Sequence, residues 1–395
     1  LFANEAAMKL AGVSAETPDP RGGHIVRNAQ GEPIGVFEEK AMSIITEAYA
    51  AYRSKLSQTD LSEEWHTGIQ LAQEECLKKG VTSFQDAGSS FQEIEDYSQL
   101  AENGKLDLRL WAMARTPYNE LAEKLDDKFP ILNVGDYFFS CRAIKTEVDG
   151  ALGAFGAWLL RSYADKPNFL GQNTTRIETV DSIAYLAIDK KMQLCVHAIG
   201  DRANHEVLNI FEKHFNDAGE GDYRWRIEHS QHLAVEDIPR FAQLGAIASM
   251  QAIHCTSDAP FVVKRLGEER ARTGAYPWRS LLDAGAVVTN GTDVPVEDVD
   301  PLESFYASVT RRRPDSGMEF FPEQAMSRQE GIYAYTMANA YAAFEEDWKG
   351  SLAVGKVADI VVLSENLLEC SEEDILSTKV LITMVDGRVK YEGVE

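Results

Sequence analysis

Residues 192–215 read M-Q-L-C-V-H-A-I-G-D-R-A-N-H-E-V-L-N-I-F-E-K-H-F. Met192 to His197 is a short apolar run closing on a polar residue and, soon after, a glycine, which is the text of a buried strand. Asp201 then stands at a helix start, and Ala203, Val207, Leu208, Phe211 and Phe215 follow at helical spacing, one apolar face of an amphipathic helix. The segment is one βα unit.

The same text recurs between about residues 80 and 296. The other expected strands are Val81 to Asp86, Leu108 to Ala114, Cys141 to Val148, Trp225 to His229, Ala246 to Gln251 and Ala286 to Asp293. Strands alternating with helices predict an α/β fold with a parallel sheet, and seven units predict an eight-stranded (β/α) barrel short of its first strand. That strand is expected upstream of residue 1, so the chain reads as truncated, and any N-terminal signal would be lost with it.

Three segments follow. Residues 1–52 carry turn-rich text and read as an insertion or lid over the barrel mouth. Residues 53–345 form the barrel. Residues 346–395 form a small β segment, with strand signals at Asp359 to Leu363 and Val380 to Val385, the latter leading through the D-G turn at 386–387 into Val389 to Tyr391.

Composition removes several classes. The 395 residues hold 63 acidic and 39 Lys plus Arg side chains, a formal charge of -24, so a nucleic-acid partner is excluded. No apolar run of about 18 residues is present to cross a membrane. The five cysteines are odd in number and lack C-x-x-C spacing, which fits a reducing, cytoplasmic setting rather than a disulfide framework.

In such a barrel the reactive groups stand at the C-terminal strand ends, where the loops converge on one mouth. Counting the missing strand as the first, the fourth carries Lys145, the fifth His197, the sixth His229 and the eighth Asp293. Two imidazoles and a carboxylate from separate strands suit zinc or a similar divalent ion with an open position for water. A single strand-end His is more often a hydrogen-bonded rim residue; the group together favours a metal. Lys145 also reads as a snorkelled or ion-paired lysine beside Glu147 or Asp149.

K-T-E-V-D-G-A-L-G-A (145–154), V-H-A-I-G-D-R-A (196–203), I-E-H-S-Q (227–231) and G-T-D-V-P-V (291–296) resemble the amidohydrolase superfamily. The resemblance is to its YtcJ-like branch, which includes N-substituted formamide deformylase. It continues in L-F-A-N-E-A-A-M-K-L-A-G-V (1–13), G-V-F-E-E-K-A (35–41), G-V-T-S-F-Q-D-A-G (80–88) and G-S-L-A-V-G-K-V-A-D-I-V-V-L (350–363).

The resemblance implies a TIM-like metal-dependent hydrolase barrel with a β-sandwich remnant at the C-terminus. It implies that His197 and His229 bind one metal ion, and that Asp293 binds another and is the catalytic proton acceptor. Lys145 would be the bridging ligand, carbamylated by carbon dioxide, because a free ammonium cannot bind a metal. In Q-A-I-H-C-T-S-D (251–258), His254 and Asp258 resemble the substrate-side loop, with Ala252 where the pattern has Pro.

The implied reaction is hydrolysis of a carbon–nitrogen bond, in an amide or an N-formyl or N-acyl amine, by metal-activated water with one or two zinc ions. A small-molecule substrate and a homodimer go with it. The first-strand His-X-His pair of the pattern is missing. Two alternatives therefore stand beside this expectation: a mononuclear deaminase or cyclic amidase of the same superfamily, and a noncatalytic truncated fragment.

Overall fold

The computed structural model describes residues 1–20, 23–39 and 41–393, in two compact units, Leu1–Ala72 and Gln73–Glu395.

The first unit opens on a helix, Glu5–Leu10, whose N-terminal amides are satisfied by the Asn4 side chain, 2.9 Å from the Ala7 amide. Strands β1 (Gly23–Arg27) and β2 (Pro33–Glu39) form an antiparallel hairpin. The turn-rich text here thus holds two strands: H-I-V and I-G-V-F are too short and too interrupted by glycine to show their alternation. Gly35, at φ +85°, is required by packing, since a Cβ there would lie 2.3 Å from the Ala3 carbonyl oxygen. Ile25, Phe37, Ala41 and Ile45 form this unit's own core. The helix Gln58–Lys78 carries the chain out of it.

The second unit is built on seven parallel strands, β3 (Ser83–Ser89), β4 (Arg109–Ala114), β6 (Phe139–Glu147), β7 (Gln193–Ala198), β8 (Arg226–His229), β9 (Ile247–Met250) and β10 (Val287–Asn290). They lie in the order β10-β9-β8-β7-β6-β4-β3, a curled half-barrel sheet. All seven expected strands are present, each within a few residues of its expected bounds. The short β5 (Ile131–Asn133), unforeseen, pairs antiparallel with β6. Three residues carry too little periodicity to be seen in sequence. The expected start of the helix after β7 is shifted by one: Gly200 is the cap and Asp201 the first helical residue.

The tail forms a three-stranded antiparallel sheet, β11 (Ile360–Leu363), β12 (Val380–Val385) and β13 (Arg388–Glu392), close to the expected bounds. It is tied to the N-terminal ends of the parallel strands. Val385 and Tyr391 pack with Leu77, Leu108 and Phe84, and the Thr383 hydroxyl donates to the Leu77 carbonyl at 2.7 Å. Arg109, 2% exposed, donates twice to Asp359, at 2.7 and 3.0 Å.

Strand register decides which side chains meet inside the sheet. Residues paired between parallel neighbours share a face, and every second residue along a strand returns to it. One row reads Lys145, Cys195, Arg226, Ile247, Val287; the next, closer to the C-terminal ends, reads Glu147, His197, Glu228, Ser249, Thr289. The charged and imidazole groups so collect on one face.

Candidate metal centre

Beyond the second row the strands end, and backbone turns bring further residues in. His229 pairs with Ala198 in the ladder, but its φ of +77° and the +43° of Ser230 bend the chain sharply. Asp293, after β10, also sits in the left-handed region at φ +61°. Such conformations are costly for residues with a Cβ and gather where a site requires them. The His197 and His229 rings meet edge to face, with centroids 4.4 Å apart.

Hydrogen bonds fix the free nitrogen of His229. Its Nδ1 lies 2.7 Å from Gln251 Oε1, an oxygen that can only accept, so Nδ1 carries the proton and Nε2 keeps a lone pair. His197 holds its Nε2 buried without a hydrogen-bond partner, 3.7 Å from Asp149 Oδ1. Burial, with a contribution from His229, keeps the His197 imidazole neutral far below its ordinary range. Burial likewise lowers His229 to about 4. Neutral imidazole is the form that ligates metals.

His254, expected on the substrate side, lies against Asp293: its Nε2 is 3.1 Å from Asp293 Oδ2 and its Nδ1 3.3 Å from Glu297 Oε1. Ser257 donates to the same Glu297 oxygen at 2.6 Å. Burial alone would lower His254, but the two carboxylates overcome it and raise it to about 9. His229, His254 and Asp293 each offer a ligand atom within 4.8 Å of the others. Asp258, one helical turn beyond His254, accepts the Tyr276 hydroxyl at 2.5 Å.

Lys145 lies one row deeper than His197, 5% exposed. Burial lowers its amine, opposed by Glu228, while Glu228 itself is held by Arg226 at 2.8 Å. Lys145 is therefore inside the same face as His197, not part of the His229, His254 and Asp293 group.

Sequence reading missed three supporting residues. Asp149, read from sequence as a possible ion-pair partner of Lys145, is 3% exposed and accepts the amides of Trp158, Ile199 and Gly200 at 2.8, 2.9 and 2.8 Å, pinning the loop that follows His197. Gln251 and Glu297 orient His229 and His254. Only D-G after a strand, and Gln251 as the first residue of the quoted loop 251–258, left a local trace.

A donor set of imidazole nitrogens and one carboxylate, with a buried unpartnered nitrogen on His197, fits a first-row divalent ion. A model of the amidohydrolase family matches residues 2–391. The chain belongs to the amidohydrolase family.

Within that family, this amidohydrolase is 35% identical to the protein LONG AFTER FAR-RED 3 of Arabidopsis thaliana, over 99% of this chain and 67% of the relative. It is 32% identical to YtcJ of Bacillus subtilis, over 98% and 72%. N-substituted formamide deformylase of Arthrobacter pascens is 26% identical, over 99% and 71%. In fold it is similar to a metal-dependent hydrolase of Pyrococcus horikoshii, with TM-score 0.73 and 24% identity, over 94% of this chain and 71% of the other. Family membership makes it a hydrolase of small molecules. Among the described residues no helix is long and apolar enough to cross a membrane.

Proposed function

We propose that this amidohydrolase cleaves a carbon–nitrogen bond in an amide, N-formyl or N-acyl amine, at a zinc centre held by His197, His229 and Asp293. What supports the reading is the meeting of the neutral His197 and His229 rings, centroids 4.4 Å apart, with Asp293 placing a ligand atom within 4.8 Å of one on His229. The likeness to N-substituted formamide deformylase supports the bond class.

A bound divalent ion supplies acidified water and a Lewis acid for the scissile carbonyl. Asp293 takes the proton from the attacking water and returns it to the leaving nitrogen, general base then general acid. His254, bonded to Asp293 and Glu297, keeps that carboxylate turned toward the site. Asp149 keeps His197 in place through the three amides it binds. Lys145, once carbamylated, would add a further anionic ligand, and carbamylation requires a neutral amine, the form its burial favours.

The alternative, a one-metal deaminase or cyclic amidase, draws support from the proximity of His229, His254 and Asp293, which would form a three-residue ligand set without Lys145 once His254 gave up its proton to a metal ion. The test is to express the protein with zinc and bicarbonate and to measure bound metal. Stoichiometric zinc, lost in the double variant His197→Ala/His229→Ala, is expected; zinc content unchanged by that pair would sink the proposal. A carbamate on Lys145 in the intact mass separates the binuclear reading from the one-metal reading.

A further inference from the structure

Arg115, at the mouth of the sheet, is a cation that the chemistry above does not use. Arg115 follows β4 directly, its amide donating to the Ser89 carbonyl at 2.9 Å, and its side chain is half exposed, 49%. Its Nη2 pairs with Glu147 at the end of β6. Glu147 is the ladder partner of His197, so the guanidinium is bonded to the residue one strand away from a proposed metal ligand. Its charge reaches His197 and Lys145.

The side chain is seated there by the neighbouring strand. Gly88 lies beneath it, and a Cβ at that position would be 2.6 Å from Arg115 Cδ and 3.2 Å from its Cβ. The missing side chain of Gly88 is what leaves room for the arginine's aliphatic stem beside β3.

An exposed ion pair contributes little to stability. Three negative groups, Asp258, Asp293 and Glu297, stand on the other side of the mouth, on a chain of charge -24. Asp293 and Glu297 are engaged by His254, whereas the half-exposed Arg115 is open to a substrate anion from solvent. Glu147 engages one terminal nitrogen of the guanidinium, leaving further N–H donors to take a carboxylate in the bidentate manner that suits arginine.

We infer that Arg115 is the carboxylate-recognition residue of this site, and that the substrates are amides bearing a carboxylate close to the scissile bond, N-formyl or N-acyl amino acids as a class. The inference rests on the carbon–nitrogen hydrolase reading for its bond class, and on the position of Arg115 for its charge.

The test compares N-formylglycine with N-ethylformamide, which replaces the carboxylate by a methyl group. Binding is followed by calorimetry and turnover by formate release, on the zinc-loaded full chain. N-formylglycine is expected to bind about tenfold more tightly. Arg115→Met should bring the ratio to about one and Arg115→Lys to an intermediate value, with zinc content and melting temperature unchanged. Gly88→Ala, which displaces the arginine without removing its charge, should also lower the ratio.

Equal binding of the two amides, a ratio that survives Arg115→Met, or no binding of either overturns the inference. Equal hydrolysis of both leaves the hydrolase reading standing while Arg115 falls. Preferential binding of N-formylglycine that depends on Arg115, with no formate released, does the reverse.

Discussion

The two ends of the parallel strands use the same kinds of side chain to opposite effect. At the N-terminal ends, Arg109 is buried and bonded twice to Asp359, and the tail sheet covers the surrounding apolar residues. At the C-terminal ends, His197 keeps an unpartnered buried nitrogen, His229 and Asp293 sit at positive φ, and His254 is shared between two carboxylates. The floor is satisfied without a ligand, whereas the mouth holds strain and open valences that a ligand would relieve. Stability and function have been separated along the strand axis, as the barrel geometry permits.

The largest way to break this contrast is Asp359→Ala. Removing one partner of a buried pair leaves the other charge uncompensated, and a loss of about 3–5 kcal/mol in urea unfolding is expected, with zinc content unaffected. A loss below about 1 kcal/mol would make the floor pair no stronger than a surface one, and the contrast would fail.

Next in size is a pH effect at the mouth of the metal-free protein. His254 is raised to about 9 from 6.5, so the folded state binds its proton more tightly. The stabilisation is complete below the unfolded value and is lost as pH rises through about 9, roughly 3 kcal/mol in all. His229, lowered to about 4, acts with the opposite sign: its share is present above the unfolded value and is lost as pH falls toward 4. Melting temperatures from pH 4 to 10 should fall on both sides, and His254→Asn should flatten the alkaline limb alone. An unchanged alkaline limb in that variant would remove His254 from the account.

The smallest expected effect sharpens the same picture. Ser257→Ala deletes one hydrogen bond to Glu297, for about 1 kcal/mol. Zinc content should stay within error, because Ser257 supports Glu297, which reaches Asp293 only through His254. A variant that lost its zinc would place Ser257 nearer the metal than its hydrogen bond implies.

Much of this was legible in the chain. Short β-rich runs alternating with amphipathic helices marked all seven parallel strands, because an apolar outer face packs under helices even where the inner face of β6 or β8 carries Lys145, Arg226 or Glu228. The strand-end rule then singled out His197, His229 and Asp293. The hairpin at residues 23–39 and the three-residue β5 escaped because short strands leave no period to count. Asp149 escaped because D-G is also ordinary turn text, and Glu297 because it meets His254 across 43 residues of sequence.

By itself, then, the sequence determined the alternation of strands and helices, the strand ends where chemistry collects, and the tail sheet. Hydrophobic periodicity is local and survives in the order of residues. Only the tertiary structure decided that Lys145 lies one row below His197, that His254 faces Asp293, that His229 keeps Nε2 free, and that Arg115 leans over Gly88 toward Glu147. Those relations depend on register between strands and on left-handed backbone turns at strand ends, which no stretch of sequence encodes alone.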